Sequence, residues 1–144
     1  MPSIADHKDA VRVYFEDVLS RGDFAALKRI SSAAVVLHDA LGEVHGHDQI
    51  VGVVSTLRAA FPDLRFTIAD IVAEGDMVAA RTSITGTHRG VFSGIAPTGN
   101  AVTLRAMQMF RLSDGQIQEG WAVVDLGALF RQLGVSAPPG RGTH

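Results

Sequence analysis

The residue of this chain best placed for acid–base work is Asp125. In the stretch Gln116 to Val124, two-residue alternation puts Ile117, Glu119, Trp121 and Val123 on one face, and Asp125 follows on that face. A carboxyl group beside an indole and two aliphatic chains is partly desolvated, which favours its neutral form. Such a group can take a proton from an acidic carbon and return it to oxygen, a service that typically supplies ~10²–10⁴-fold in rate. The same aspartate stands directly before a helical stretch, and aspartate is a favoured helix N-cap. The sequence leaves both roles open.

A second polar position interrupts an apolar face. From Ala101 to Leu112, Val102, Leu104, Ala106, Gln108 and Phe110 alternate with Thr103, Arg105, Met107, Met109 and Arg111. A buried Gln108 amide needs partners, either a ligand carbonyl or a neighbouring strand. If the other face lines a pocket, Arg105 stabilises an enolate oxygen there and Met107 adds adaptable apolar surface. If that face points outward, Arg105 pairs with a surface carboxylate. Alternation alone does not choose between the faces.

The histidines divide by context. His38 ends an apolar run and is expected to line a pocket. His88 stands where a strand meets a long loop, as a second acid/base or as a loop anchor. His38, His45 and His47 lie near Asp39, but their spacing is not that of a preformed metal site and cysteine is absent, so no metal is expected. Trp121, Phe92 and Ile95 are expected to supply hydrophobic lining. No phosphate-cradling glycine motif and no nucleophile-elbow serine occurs.

The elements that must position these residues read in order. Val11, Tyr14, Phe15, Val18 and Leu19 share one face of a first helix, with Asp6 or Asp9 as its cap. Arg21-Gly22-Asp23 breaks it and caps a short second helix from Phe24. Ala33 to Leu37 is a strand that runs into a turn at Leu41-Gly42. Ile50, Val53, Val54, Leu57 and Phe61 make the stripe of a third helix, ended by Pro62. Strands follow over Leu64–Ala73, Met77–His88, Ala101–Leu112 and Gln116–Val124, then a short helix from Leu126 to Leu133. Helices first and strands after predict an α+β domain over 1–136, with a Pro/Gly-rich tail over 137–144.

Bulk properties exclude several classes. The chain has 144 residues, 47% hydrophobic, with a formal net charge of -2. That balance gives no reason to expect nucleic acid or an anionic membrane as partner. No apolar run is long enough to span a bilayer, and the mixed-charge start does not read as a signal peptide, so a cytoplasmic protein is expected.

The run Gly86-Thr87-His88-Arg89-Gly90-Val91-Phe92-Ser93-Gly94-Ile95-Ala96-Pro97-Thr98-Gly99 resembles a signature of SnoaL-like polyketide (ester) cyclases. So do Phe61-Pro62-Asp63-Leu64, Asp114-Gly115-Gln116-Ile117 through Glu119-Gly120-Trp121, and Asp125-Leu126-Gly127 through Arg131-Gln132-Leu133-Gly134. The resemblance covers roughly Asp9 to Gly134. It implies an NTF2-like cone-shaped barrel, a curved antiparallel sheet wrapped around three N-terminal helices, enclosing a deep pocket. It implies a homodimer or homotetramer. It further implies intramolecular aldol-type ring closure of an apolar carbonyl or aromatic polyketide-like ligand, without cofactor, and it puts the acid/base aspartate on Asp125. Epoxide hydrolysis, isomerisation or assisted hydroxylation on the same scaffold, and non-catalytic binding, are the alternatives.

Overall fold

A computed structural model describes residues 2–40 and 42–135. The 137–144 tail lies outside the described residues.

The first helix, α1 (Ile4–Val13), starts earlier than its apolar stripe predicts. Ser3 is its cap: the Ser3 hydroxyl accepts the Asp6 N–H at 3.1 Å, and the Asp6 carboxylate accepts the Ser3 N–H at 2.8 Å. The helix then widens into a π-helical segment, Tyr14–Leu19, which the stripe did not foretell. Its last carbonyls, Leu19 and Ser20, are capped by the Arg58 guanidinium at 3.2 and 2.8 Å. Phe15, Val18 and Leu19 of this segment are buried. Asp23 caps α2 (Phe24–Ile30) through the Ala26 N–H. The third helix, α3 (Gly46–Ala60), buries Ile50 and Val54.

The strands are β1 (Ser31–Asp39), β2 (Gly42–His45), β3 (Arg65–Glu74), β4 (Met77–Thr87), β5 (Ala101–Ser113) and β6 (Gln116–Val124), followed by α4 (Leu126–Gln132). They form one six-stranded sheet in the order β2-β1-β6-β5-β4-β3. Two features correct the expected cone-shaped barrel. First, the sheet is open: β2 and β3 are its edges and do not pair with each other. Second, it is mixed, because β1 runs parallel to β6 while every other pairing is antiparallel. The physical reason lies in β2. Four residues span only about 13 Å at ~3.3 Å each, too little to match the ten of β3, and a closed barrel requires matched strands. Helices occupy the inner side instead, with α1 and the π segment against β3 and α3 against β1 and β2. The fold of the described residues is therefore α+β, with four α-helices on an open mixed sheet.

The alternation in β5 now has a direction. Val102, Leu104, Ala106, Gln108, Phe110 and Leu112 are buried against the helices, and Arg105, Met107 and Met109 face out. Each buried Leu or Phe of this face stabilises the fold by about 1.5–3 kcal/mol. At Gly120 in β6, an added Cβ would sit 2.9 Å from a Leu37 methyl and 3.0 Å from the Phe110 ring. Glycine there lets β1, β6 and β5 close around those two side chains.

Candidate active site

Between the helices and the inner face of β5 and β6 lies an apolar cavity of about 170 Å³. The π segment contributes Tyr14 and Phe15 to its wall, α3 contributes Val53 and Leu57, and β5 contributes Leu104 and Gln108. Cavities on this scale walled by aliphatic and aromatic chains stay dry and accept apolar guests. Polar side chains on its border, among the described residues, are Tyr14, His38, Asp39 and Gln108, with the Trp121 indole.

Gln108 lies in the wall and is buried. Its Nε2 donates to Thr82 Oγ1 at 2.8 Å, across the β4–β5 pairing. Its Oε1 is buried with no protein partner among the described residues. A threonine hydroxyl both donates and accepts, so the amide can turn over and keep its bond to Thr82. The free pole is then either a carbonyl oxygen or an NH₂ group.

Tyr14 and Asp39 meet the cavity from two elements. The Tyr14 ring packs edge-on to Phe15 and Phe110, at centroid distances of 5.4 and 5.5 Å. Burial pushes its phenol pKa well above the ordinary value, and the nearby Asp39 charge pushes it further. Asp39 ends β1 two residues after Leu37, on the same face by alternation. Tyr14 sits in the helix stripe, so in the sequence its position reads as ordinary core, and Asp39 stands out there only as a neighbour of the histidines.

His38 points to the opposite face of β1. Its Nε2 lies 2.6 Å from Glu119 Oε2 and its Nδ1 lies 3.1 Å from Glu43 Oε2. Its ring stacks on Trp121 at 5.6 Å and 14°. The bond to Glu119 raises the His38 pKa above the ordinary imidazole value, partly opposed by burial and aided by Glu43. The same bond, with Arg111, lowers the Glu119 pKa.

The remaining sequence candidates fall elsewhere. Asp125 is exposed at the head of α4, where its Oδ1 accepts the Ala128 N–H at 2.9 Å, and it does not border the cavity. The inward positions near the end of β6 are Ala122 and Val124. The Trp121 face of β6 is the outer one, and Asp125 falls just past the end of that strand. Arg105 and Met107, ligand contacts only if their face lined the pocket, are both on the outer face, away from the cavity. Trp121 reaches the cavity border while standing 38% exposed on the outer face.

Phe92 does line the cavity, edge-on to Phe61 at 5.6 Å, whereas Ile95 packs behind it. His88 is fully buried at the root of the 88–100 loop. Its Nδ1 accepts the Thr98 N–H at 3.2 Å and lies 3.0 Å from the Thr98 hydroxyl, so it ties the loop and does not border the cavity. Gly90 lets that loop cross α3, since an added Cβ would lie 2.3 Å from the Ala59 carbonyl oxygen. His45 pairs with Glu43, His47 bonds Ser31, and among the described residues no three His, Asp or Glu side chains are grouped so as to hold a metal ion. Among those residues, no helix is long and apolar enough to cross a membrane.

An apolar cavity behind an α+β sheet, with a few polar groups on its border, defines a protein built to take up a small molecule. Residues 8–133 match the family model described as SnoaL-like polyketide cyclase, and the chain belongs to that family, within the NTF2-like superfamily. It is similar to AclR of Streptomyces galilaeus, a candidate hydroxylase, at 31% identity and TM-score 0.80, over 92% of this chain and 98% of that one. It is equally similar to IdmH of Streptomyces antibioticus, a candidate polyketide cyclase, at 31% identity and TM-score 0.79, over 90% and 99%. A SnoaL-like protein of Jannaschia sp. CCS1 superposes with TM-score 0.85 at 25% identity, over 96% and 97%. No curated protein matches the chain. Family membership gives the chain a scaffold of cyclase-type enzymes.

Proposed function

We propose that this protein closes a ring in an apolar, carbonyl-bearing polyketide-like substrate, by proton transfer within the cavity. The observation that carries the reading is the unpartnered amide pole of Gln108 in an otherwise greasy wall. A buried polar atom left unpaired costs roughly 1–3 kcal/mol, and a bound substrate oxygen removes that cost once the amide turns so that Thr82 donates to Oε1 and the NH₂ group donates to the substrate. Asp39, at the cavity border, takes a proton from carbon next to a substrate carbonyl. The enolate oxygen accepts hydrogen bonds from the Tyr14 hydroxyl and from Gln108 in its NH₂-inward orientation. The enolate carbon then bonds to a second carbonyl carbon of the same chain, and the resulting alkoxide recovers the proton from Asp39. The ledger closes as an isomerisation, and no other reactant enters. Asp39 and Asp125 are both exposed and each accepts a backbone N–H, from Ala40 and Ala128; Asp39 borders the cavity and Asp125 does not, which supports placing the aspartate of the expected mechanism at 39.

α-Proton exchange of 2-tetralone, an apolar aromatic ketone, into D₂O tests this by NMR. Wild-type protein is expected to accelerate exchange above buffer and Asp39→Asn to lose that acceleration. No acceleration by wild type ends the reading.

A second copy of the chain is the partner this reading adds. Val72, Met107, Met109, Trp121 and Val123 form one exposed apolar area on the outer sheet face, with Met107 63% and Val123 73% exposed. Contiguous apolar area of this kind marks an interaction surface.

A further inference from the structure

The imidazole of His38 is caught between carboxylates from two different strands. Glu119 of β6 holds Nε2 at 2.6 Å, and Glu43 of β2 holds Nδ1 at 3.1 Å. A neutral imidazole has one N–H and can donate to only one of them. An imidazolium donates to both. The remaining charged groups fit that state. Arg111 of β5 reaches Glu119 at 3.4 Å, and His45 of β2 reaches Glu43 at 3.2 Å, so neither carboxylate is shared with a competitor at shorter range. Trp121 of β6 covers the ring face. On β1 itself the neighbouring charge is Asp39, whose side chain projects to the other side of the strand.

We propose that doubly bonded His38 is a positioning residue: it pins the end of β1 between β2 and β6, and thereby fixes the Asp39 carboxylate at the cavity border. The role rests on the proton chemistry assigned to Asp39 above. His38 joins the central strand pairing, at His38↔Trp121, to the edge hairpin, at His38↔Glu43. That hairpin is short, and Asp39 is its last paired residue on β1, opposite Gly42. Losing the imidazolium releases one of the two carboxylates. Release of Glu43 leaves β1 without its side-chain tie to β2, release of Glu119 leaves β1 without its side-chain tie to β6, and in either case Asp39 gains freedom. The device is set by pH: the two-sided bond is complete in acid and is lost as pH rises through the His38 titration.

The experiment has two arms. In the first, ¹⁵N-resolved NMR follows the His38 ring in wild-type protein. At pH 6.5, where an ordinary imidazole is about half protonated, the ring is expected to be mostly doubly protonated. A ring found in one neutral tautomer there overturns the proposal, and this arm needs no turnover. In the second, exchange of 2-tetralone is followed against pH for wild type, His38→Gln and Asp39→Asn. Wild type is expected to slow by up to roughly a hundredfold as pH rises through the His38 titration, the scale that misplacing a reacting group by an ångström costs. His38→Gln is expected to be slow throughout, with no step. A step that persists unchanged in His38→Gln overturns the positioning role while leaving Asp39 in place. An Asp39→Asn protein as fast as wild type removes the Asp39 chemistry beneath it.

Discussion

Gln108 gives one pole of its amide to Thr82 across two strands, at 2.8 Å, and keeps the other buried without a protein partner. Removing both polar partners together is expected to cost the fold little, because no orphan is left behind. The double variant Gln108→Met with Thr82→Val is therefore expected to melt within a few degrees of wild type. Its affinity for 2-tetralone, read by titration calorimetry, is expected to fall about tenfold, the worth of one ~1.4 kcal/mol hydrogen bond. Unchanged affinity would remove Gln108 from the binding site.

Tyr14→Phe isolates the hydroxyl. The ring contacts with Phe15 and Phe110 survive the change, so stability is expected to hold. Loss of one donor to a developing oxyanion typically costs ~10²–10³-fold in rate. Exchange of the ketone probe by Tyr14→Phe is expected to fall into that range, and a rate near wild type would show that the phenol plays no part.

Asp125 separates capping from proton transfer by two substitutions. Asparagine caps a helix as well as aspartate does, whereas alanine does not. Asp125→Asn is expected to match wild type in both melting temperature and ketone exchange. Asp125→Ala is expected to lose about 1 kcal/mol of stability with the Ala128 bond. A selective loss of exchange in Asp125→Asn would return the acid/base role to this residue.

The His38–Glu119 contact sets a pH window for stability. His38 has a raised pKa, so its contribution is full below the ordinary value of 6.5 and is lost as pH climbs through the folded-state value. Glu119 has a lowered pKa, so its contribution is full above 4.5 and is lost as pH drops through its folded-state value. Melting temperature is expected to peak between these limits and to decline on the alkaline side. His38→Gln is expected to flatten that alkaline decline, as calorimetry over pH 6 to 9 would show.

The outer face gives a test of assembly. Val123→Glu places a charge in the middle of the exposed apolar area while leaving the cavity wall untouched. Light scattering is expected to show a dimer for wild type and a monomer for the variant. A wild-type monomer would dismiss the second copy.

Much of this protein was legible in one dimension. The alternation of β5 isolated Gln108 on an apolar face, the Asp23 and Asp125 caps stood at their helix starts, and the quoted motifs carried the family. Three features were not legible. Periodicity gives two faces of a strand but not which one meets the helices, and so it left open whether Arg105 and Met107 meet the cavity and put the acid on Asp125, which does not border it. The parallel pairing of β1 with β6 joins residues about 80 apart in the chain, and only that pairing brings Glu119 to His38. The open edge followed from a four-residue β2 that carries too little periodicity to read as a strand. Sequence alone determined the chemistry available and the elements that carry it, because both are local properties of residue type and spacing. Tertiary structure alone decided which carboxylate borders the cavity, because that depends on which face of a sheet the helices cover.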